Sequence, residues 1–154
     1  MNTADRHFAH FNWATLKADL GDPQIAPFEK AIDKVNAVAA RSRGHVWNSG
    51  AEMSEAARIG WPLFTRNPRL IASFSVWESP GHFRDYVYKT VHAAFFRRGH
   101  EWFEADAPRG YVLWWVPAGH VPGIAEAREK VEAHDAQGNG PDVFDLGWLD
   151  AQPA

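Results

Sequence analysis

The chain has no cysteine. That excludes disulfides, thiolate nucleophiles and cysteine-ligated metals, and it fits a reducing compartment. No apolar run approaches the roughly 18 residues that a membrane-spanning helix requires. The opening MNTADRHFAHFNW lacks the apolar segment of a signal peptide. The expectation is a cytoplasmic protein with no membrane partner. A long basic stretch is missing as well: the net charge is −3 and Arg97-Arg98 is a pair rather than a patch. Nothing there could follow a phosphate backbone, so nucleic acid is not an expected partner. There is no glycine-rich phosphate loop and no Gly-x-Ser-x-Gly elbow. His92 and His100 lack the four-residue step that sets two ligands on successive helical turns, so no metal is expected.

At 154 residues the chain is expected to form one domain, 1–154. Eight tryptophans and ten phenylalanines stand out. Such rings bury large areas and serve cores, interfaces and pockets alike. The alternation of Phe11 and Trp13 with His10 and Asn12 predicts a first strand within His7–Leu16. Asp22-Pro23 starts a helix to about Arg43, with Ile25, Phe28, Ile32, Val35 and Val38 on one stripe and Gly44 as its stop. His45-Val46-Trp47 begins a short strand. The segment 48–69 reads as a long loop or lid, because loops of this length in compact domains are usually functional or mobile. LIASFSV and Trp77 make a strand over Leu70–Trp77. Ser79-Pro80 opens a helix to Lys89, and a second helix is predicted over Thr90–Ala105. Tyr111–Val116 is a strand, Pro122–Gln137 an amphipathic helix, Val143–Leu146 a last short strand and 148–154 a frayed tail. The order β-α-β-β-α-β is the ferredoxin-like pattern: an α+β fold with an antiparallel sheet and helices on one face. An apolar second face would need a cover, and two sheets face to face would close a barrel shared by a homodimer.

His92 is the first chemical candidate. A neutral imidazole can take up a proton near neutral pH and return it. Tyr86 lies before the bend at Lys89-Thr90, so the two side chains converge if the helix axis breaks there. The tyrosine hydroxyl would orient the imidazole or bind a substrate oxyanion. Trp77, Tyr88, Phe96 and one of Trp114 or Trp115 would wall the pocket, the last two pointing to opposite faces of their strand. Arg97 and Glu101 have the spacing of a surface ion pair, while Arg98 is left for a substrate carboxylate. His120 would either reach the mouth of the site or cap the following helix.

The stretch SVWESPGHFRDYVYKTVH resembles the corresponding segment of the dimeric α+β barrel superfamily. It is similar to polyketide cyclases and to antibiotic-biosynthesis monooxygenases of that superfamily. The H-x₄-R-R-x₂-E-W-F run from His92 to Phe103 and the ending LWWVPAGH resemble a bacterial family of unknown function within it. The cyclase resemblance implies an acid–base pair, which would fall on Tyr86 and His92. Over the superfamily it implies a homodimer and a small hydrophobic or aromatic ligand.

Three readings follow. The first is an enzyme acting without a cofactor on a small aromatic or polyketide-like metabolite, as cyclase, isomerase, dehydratase or monooxygenase. The second is a haem-binding or haem-degrading protein with His92 as axial ligand. The third is a dimer that binds a small molecule without turning it over.

Overall fold

A computed structural model of the chain describes residues 3–49, 67–107 and 109–153. Four strands form one antiparallel sheet: β1 (Arg6–Thr15), β2 (His45–Asn48), β3 (Leu70–Trp77) and β4 (Gly110–Pro117), in the order β2-β3-β1-β4. This is the ferredoxin-like arrangement expected from the element order, and the fold is α+β. Long ladders join β1 to β3 and to β4, with Phe8 opposite both Trp77 and Trp115.

Helix α1 (Ala26–Arg41) connects β1 to β2. Asp22 starts a turn by accepting the Gln24 N–H at 2.8 Å, and the helix proper opens at Ala26, four residues later, with Pro27 in its first turn. Helix α2 (Pro80–Lys89) is capped by Ser79, whose hydroxyl accepts the His82 N–H. Helix α3 (Val91–Arg97) follows at once. It ends eight residues earlier than the spacing predicts. A short 3₁₀ turn, Gly99–Glu101, takes over. There the backbone turns to pair with the end of β1: Lys17 N–H donates to the Trp102 carbonyl and Glu104 N–H to that of Thr15. The Trp102 side chain is buried with Leu16 and Ile25.

Helices α1 and α2 cover one face of the sheet, where Phe8, Trp77 and Leu113 meet Ala39, Phe83 and Val87. The other face carries Ala9, Phe11, Phe74, Val76, Val112 and Trp114, and helix α4 (Ile124–Gln137) packs there through Ala127 and Val131. Those six sheet residues are at most 2% exposed. The cover that the sequence reading sought in a second subunit is thus supplied in part by α4. The segment predicted as a last strand makes a single bridge, Phe144 to Leu113, and then becomes helix α5 (Leu146–Asp150), capped by Asp145. Trp148 and Leu149 pack against the α1/α2 side, so the start of the predicted tail is ordered helix. The predicted lid lies almost wholly within 50–66, outside the described residues.

Candidate functional site

The face of the sheet under α1 and α2 is not apolar throughout. Cross-strand partners share a face, so His10 stands beside Ser75 and Leu113, and Asn12 beside Ser73 and Tyr111. The centre of this face is a polar strip with the Phe8, Trp77 and Trp115 rings at one end. Ser73 donates to the Asn12 side-chain oxygen at 2.5 Å, and the Trp77 indole N–H donates to the Ser75 hydroxyl at 2.9 Å. His10, Ser75 and Asn12 are half-buried and Ser73 is exposed.

Tyr86 and His92 converge at one end of this strip. Thr90 makes the break between α2 and α3: its hydroxyl donates to the Tyr86 carbonyl at 2.5 Å and accepts the His92 N–H at 3.2 Å. On an unbroken helix, residues six apart would point to different sides. Across the break the two rings lie 5.0 Å apart, centre to centre. Tyr86 also stacks on Trp77 at 5.0 Å.

The orientation of His92 comes from the backbone. Its Nδ1 lies 3.2 Å from the Val87 carbonyl oxygen. A carbonyl can only accept, so Nδ1 carries the hydrogen and the neutral ring keeps its lone pair on Nε2. Burial lowers the His92 pKa below the ordinary histidine value, with the Val87 bond opposing. At neutral pH the ring is therefore an uncharged base. The Tyr86 hydroxyl donates to the Val35 carbonyl at 3.3 Å, not to the imidazole, and burial raises its pKa. It stays a proton donor at any physiological pH.

His10 is the residue the sequence reading passed over. Its ring packs at 4.6 Å from Phe83 and 6.2 Å from Tyr111. Part of its surface reaches solvent, yet burial, and then the repulsion of a charged His92, push its pKa down to about 3. A charged His92 thus opposes the charging of His10. One neutral imidazole stands on the sheet against Phe83 and Tyr111, and the other on α3 against Tyr86 and Phe96.

The remaining candidates are distributed. Phe96 stacks on His92 at 6.4 Å and meets Tyr88 edge-on, and both are exposed, 66% and 52%. Trp115 shares the helix-side face but stands on the edge strand β4, across β1 from Trp77, under the guanidinium of Arg6. Trp114 points to the other face, where its indole N–H donates to Glu126 at 2.9 Å. His120 pairs with the same carboxylate at 2.6 Å. Neither is brought to Tyr86 and His92. Glu101 pairs with Arg98, not with Arg97 as the spacing predicts, and the Arg98 guanidinium lies over Trp102. Among the described residues no three metal-ligating side chains gather, and no helix is long and apolar enough to cross a membrane.

Among curated proteins no relative matches the chain. Solved structures that resemble it include a protein of unknown function, NE2512, from Nitrosomonas europaea (TM-score 0.48, 14% identity, 78% of this chain and 98% of that one). A monooxygenase from the gene ActVA-Orf6 of Streptomyces coelicolor, in complex with nanaomycin D, resembles it with a TM-score of 0.46, 13% identity and coverage of 79% and 95%. SnoaB, a cofactor-independent oxygenase from Streptomyces nogalater, does so with a TM-score of 0.44, 14% identity and coverage of 77% and 97%. The model of one sequence family, the domain of unknown function DUF3291, matches residues 7–153, and the chain belongs to that family.

Proposed function

We propose that this protein is an acid–base enzyme that works without a cofactor on a small aromatic or polyketide-like metabolite. One observation carries the reading: the Nδ1 of His92 is held on a backbone carbonyl, which leaves the lone pair of the neutral ring on Nε2, with the Tyr86 and Phe96 rings beside it. A base for a carbon or phenolic acid must be unprotonated at working pH and held in a defined direction. His92 meets both conditions. Nε2 would take the proton from a carbon between two carbonyls, or from a phenol. The negative charge that develops on oxygen would be met by Tyr86, whose 3.3 Å bond to Val35 is long enough to be exchanged for a stronger one to an oxyanion. His10, neutral, would hydrogen-bond the ligand from the sheet side. The enolate or phenolate would then cyclise, isomerise, eliminate or attack oxygen. A second copy of the chain belongs to the same proposal, and the exposed pair Tyr88 and Phe96 is the aromatic surface it would cover.

The test needs only the reaction class. In heavy water, an aryl 1,3-diketone exchanges its central proton, and the protein should accelerate that exchange. His92→Ala should lower the acceleration by about 10²-fold or more. Equal exchange by wild type and variant would remove His92 from the chemistry. Added haemin reports on the rival reading: a Soret shift lost in His92→Ala would assign the lone pair to a haem iron, and the acid–base reading expects no shift.

A further inference from the structure

A cleft of about 410 Å³ opens at the β4 edge of the helix-side face, where β1 begins, lined by Arg6, Trp115, Pro141, Trp148, Leu149 and Gln152 among others. It is bounded by neither His92 nor His10. The Arg6 guanidinium lies flat on the Trp115 indole, 3.7 Å from the ring centre. Its Nε is shut away from solvent and has no hydrogen-bond acceptor. Among the described residues no carboxylate pairs with Arg6. An uncompensated guanidinium over an indole, in a cleft walled by Trp, Pro, Leu and Gln side chains, is a charge held by stacking rather than by a counter-ion.

We propose that this cleft is a binding site for a small aryl carboxylate. The guanidinium already sits in one plane, and its outer nitrogens offer the forked donors that a carboxylate accepts two at a time. Trp148, Leu149 and Pro141 present surfaces for an arene of one or two rings, and Gln152 offers an amide to a ring substituent. The volume falls within the range of small-molecule pockets, roughly 300–1,000 Å³. A phosphate ester would find one cation and no backbone nest, and a neutral arene would leave the guanidinium uncompensated. The carboxylate is the class that satisfies both the charge and the walls. The proposal is independent of the acid–base reading, since it uses neither His92, Tyr86 nor His10.

Calorimetric titration with 2-naphthoate, and with 2-naphthalenemethanol as the neutral isostere, tests it. The carboxylate should bind with Kd below about 1 mM, and the alcohol at least about tenfold more weakly. Arg6→Gln and Arg6→Lys should each weaken naphthoate at least about tenfold, the lysine because it lacks the planar fork. His92→Ala should bind naphthoate as the wild type does, which separates this cleft from the histidine site. The Nε–H resonance of Arg6 in the wild-type spectrum should shift with the titration, a readout that stands whether or not the variants fold. Absence of binding, equal affinity for the alcohol, or an unmoved Arg6 resonance would overturn the proposal.

Discussion

At the scale of single residues, the two depressed histidines give the account its sharpest consequence. A histidine whose folded pKa lies below its unfolded value takes up its proton more readily in the unfolded chain. Stability is then complete above the unfolded value, near 6.5, and falls as the pH drops toward the folded value. For His10 that window runs from 6.5 down to about 3. Within it each pH unit costs about 1.4 kcal/mol while one extra proton stays on the unfolded chain. His92, lowered too, adds in the same direction. Denaturant unfolding at pH 7 and pH 5 should therefore show a loss at pH 5 that His10→Phe reduces; a pH-independent midpoint would contradict the burial of that ring. Tyr86→Phe removes the donor to Val35 and should cost about 1 kcal/mol, read from the same curves. The sequence carried Tyr86 and His92 because their aromatic neighbours and the bend between them are local features. It did not carry His10, since a polar residue alternating with Phe11 reads as solvent-facing. Only the helices beyond the sheet decide that this polar row is roofed. A polar alternation shared by β1 and β3, with Asn12 against Ser73 and His10 against Ser75, was the signal available.

At the scale of elements, caps and close approaches decide where helices begin and end. Ser79 is a side-chain cap, so Ser79→Ala should cost about 1 kcal/mol of stability. Gly44 follows α1 with φ +77°, and a Cβ there would stand 2.2 Å from Cγ of His82. Both the backbone and the ring oppose a side chain, so Gly44→Ala should cost about 2 kcal/mol or more, measured as a lowered Tm. An unchanged Tm would mean that α2 does not sit against this turn. Asp145 caps α5, and the Trp148 N–H it accepts holds its carboxyl below the usual carboxylate range. That contribution is present above the unfolded pKa and is lost as the pH falls through the folded one. The strands, α1 and α2 were legible in the sequence because period and punctuation agreed there. The end of α3 was not, because the competing partner is remote: the backbone after Arg97 is drawn into pairing with β1, some ninety positions earlier in the chain. The terminal helix was hidden for a similar reason, since Val143-Phe144 does pair with a strand, for one bridge only, before Asp145 turns the chain.

At the scale of the whole molecule, one sheet separates two kinds of interior. The face under α4 is closed by large apolar side chains, with Trp114 and Glu126 as its internal polar contact. Phe11 is fully buried there between Trp13 and Phe74, and Phe11→Ala should cost about 3–5 kcal/mol. The face under α1 and α2 carries His10, Asn12, Ser73 and Ser75 where the other face carries large apolar side chains. Light scattering on the purified protein should give twice the mass of one chain if a second copy covers Tyr88 and Phe96; a monomer would confine the site to one subunit. The central claim is that His92 presents an unprotonated Nε2 to this face. Nitrogen-15 NMR of the histidine rings at pH 7 tests it most directly. The account predicts a neutral His92 with its hydrogen on Nδ1 and a pKa below 6.5. A ring charged at pH 7, or one with its hydrogen on Nε2, would contradict it.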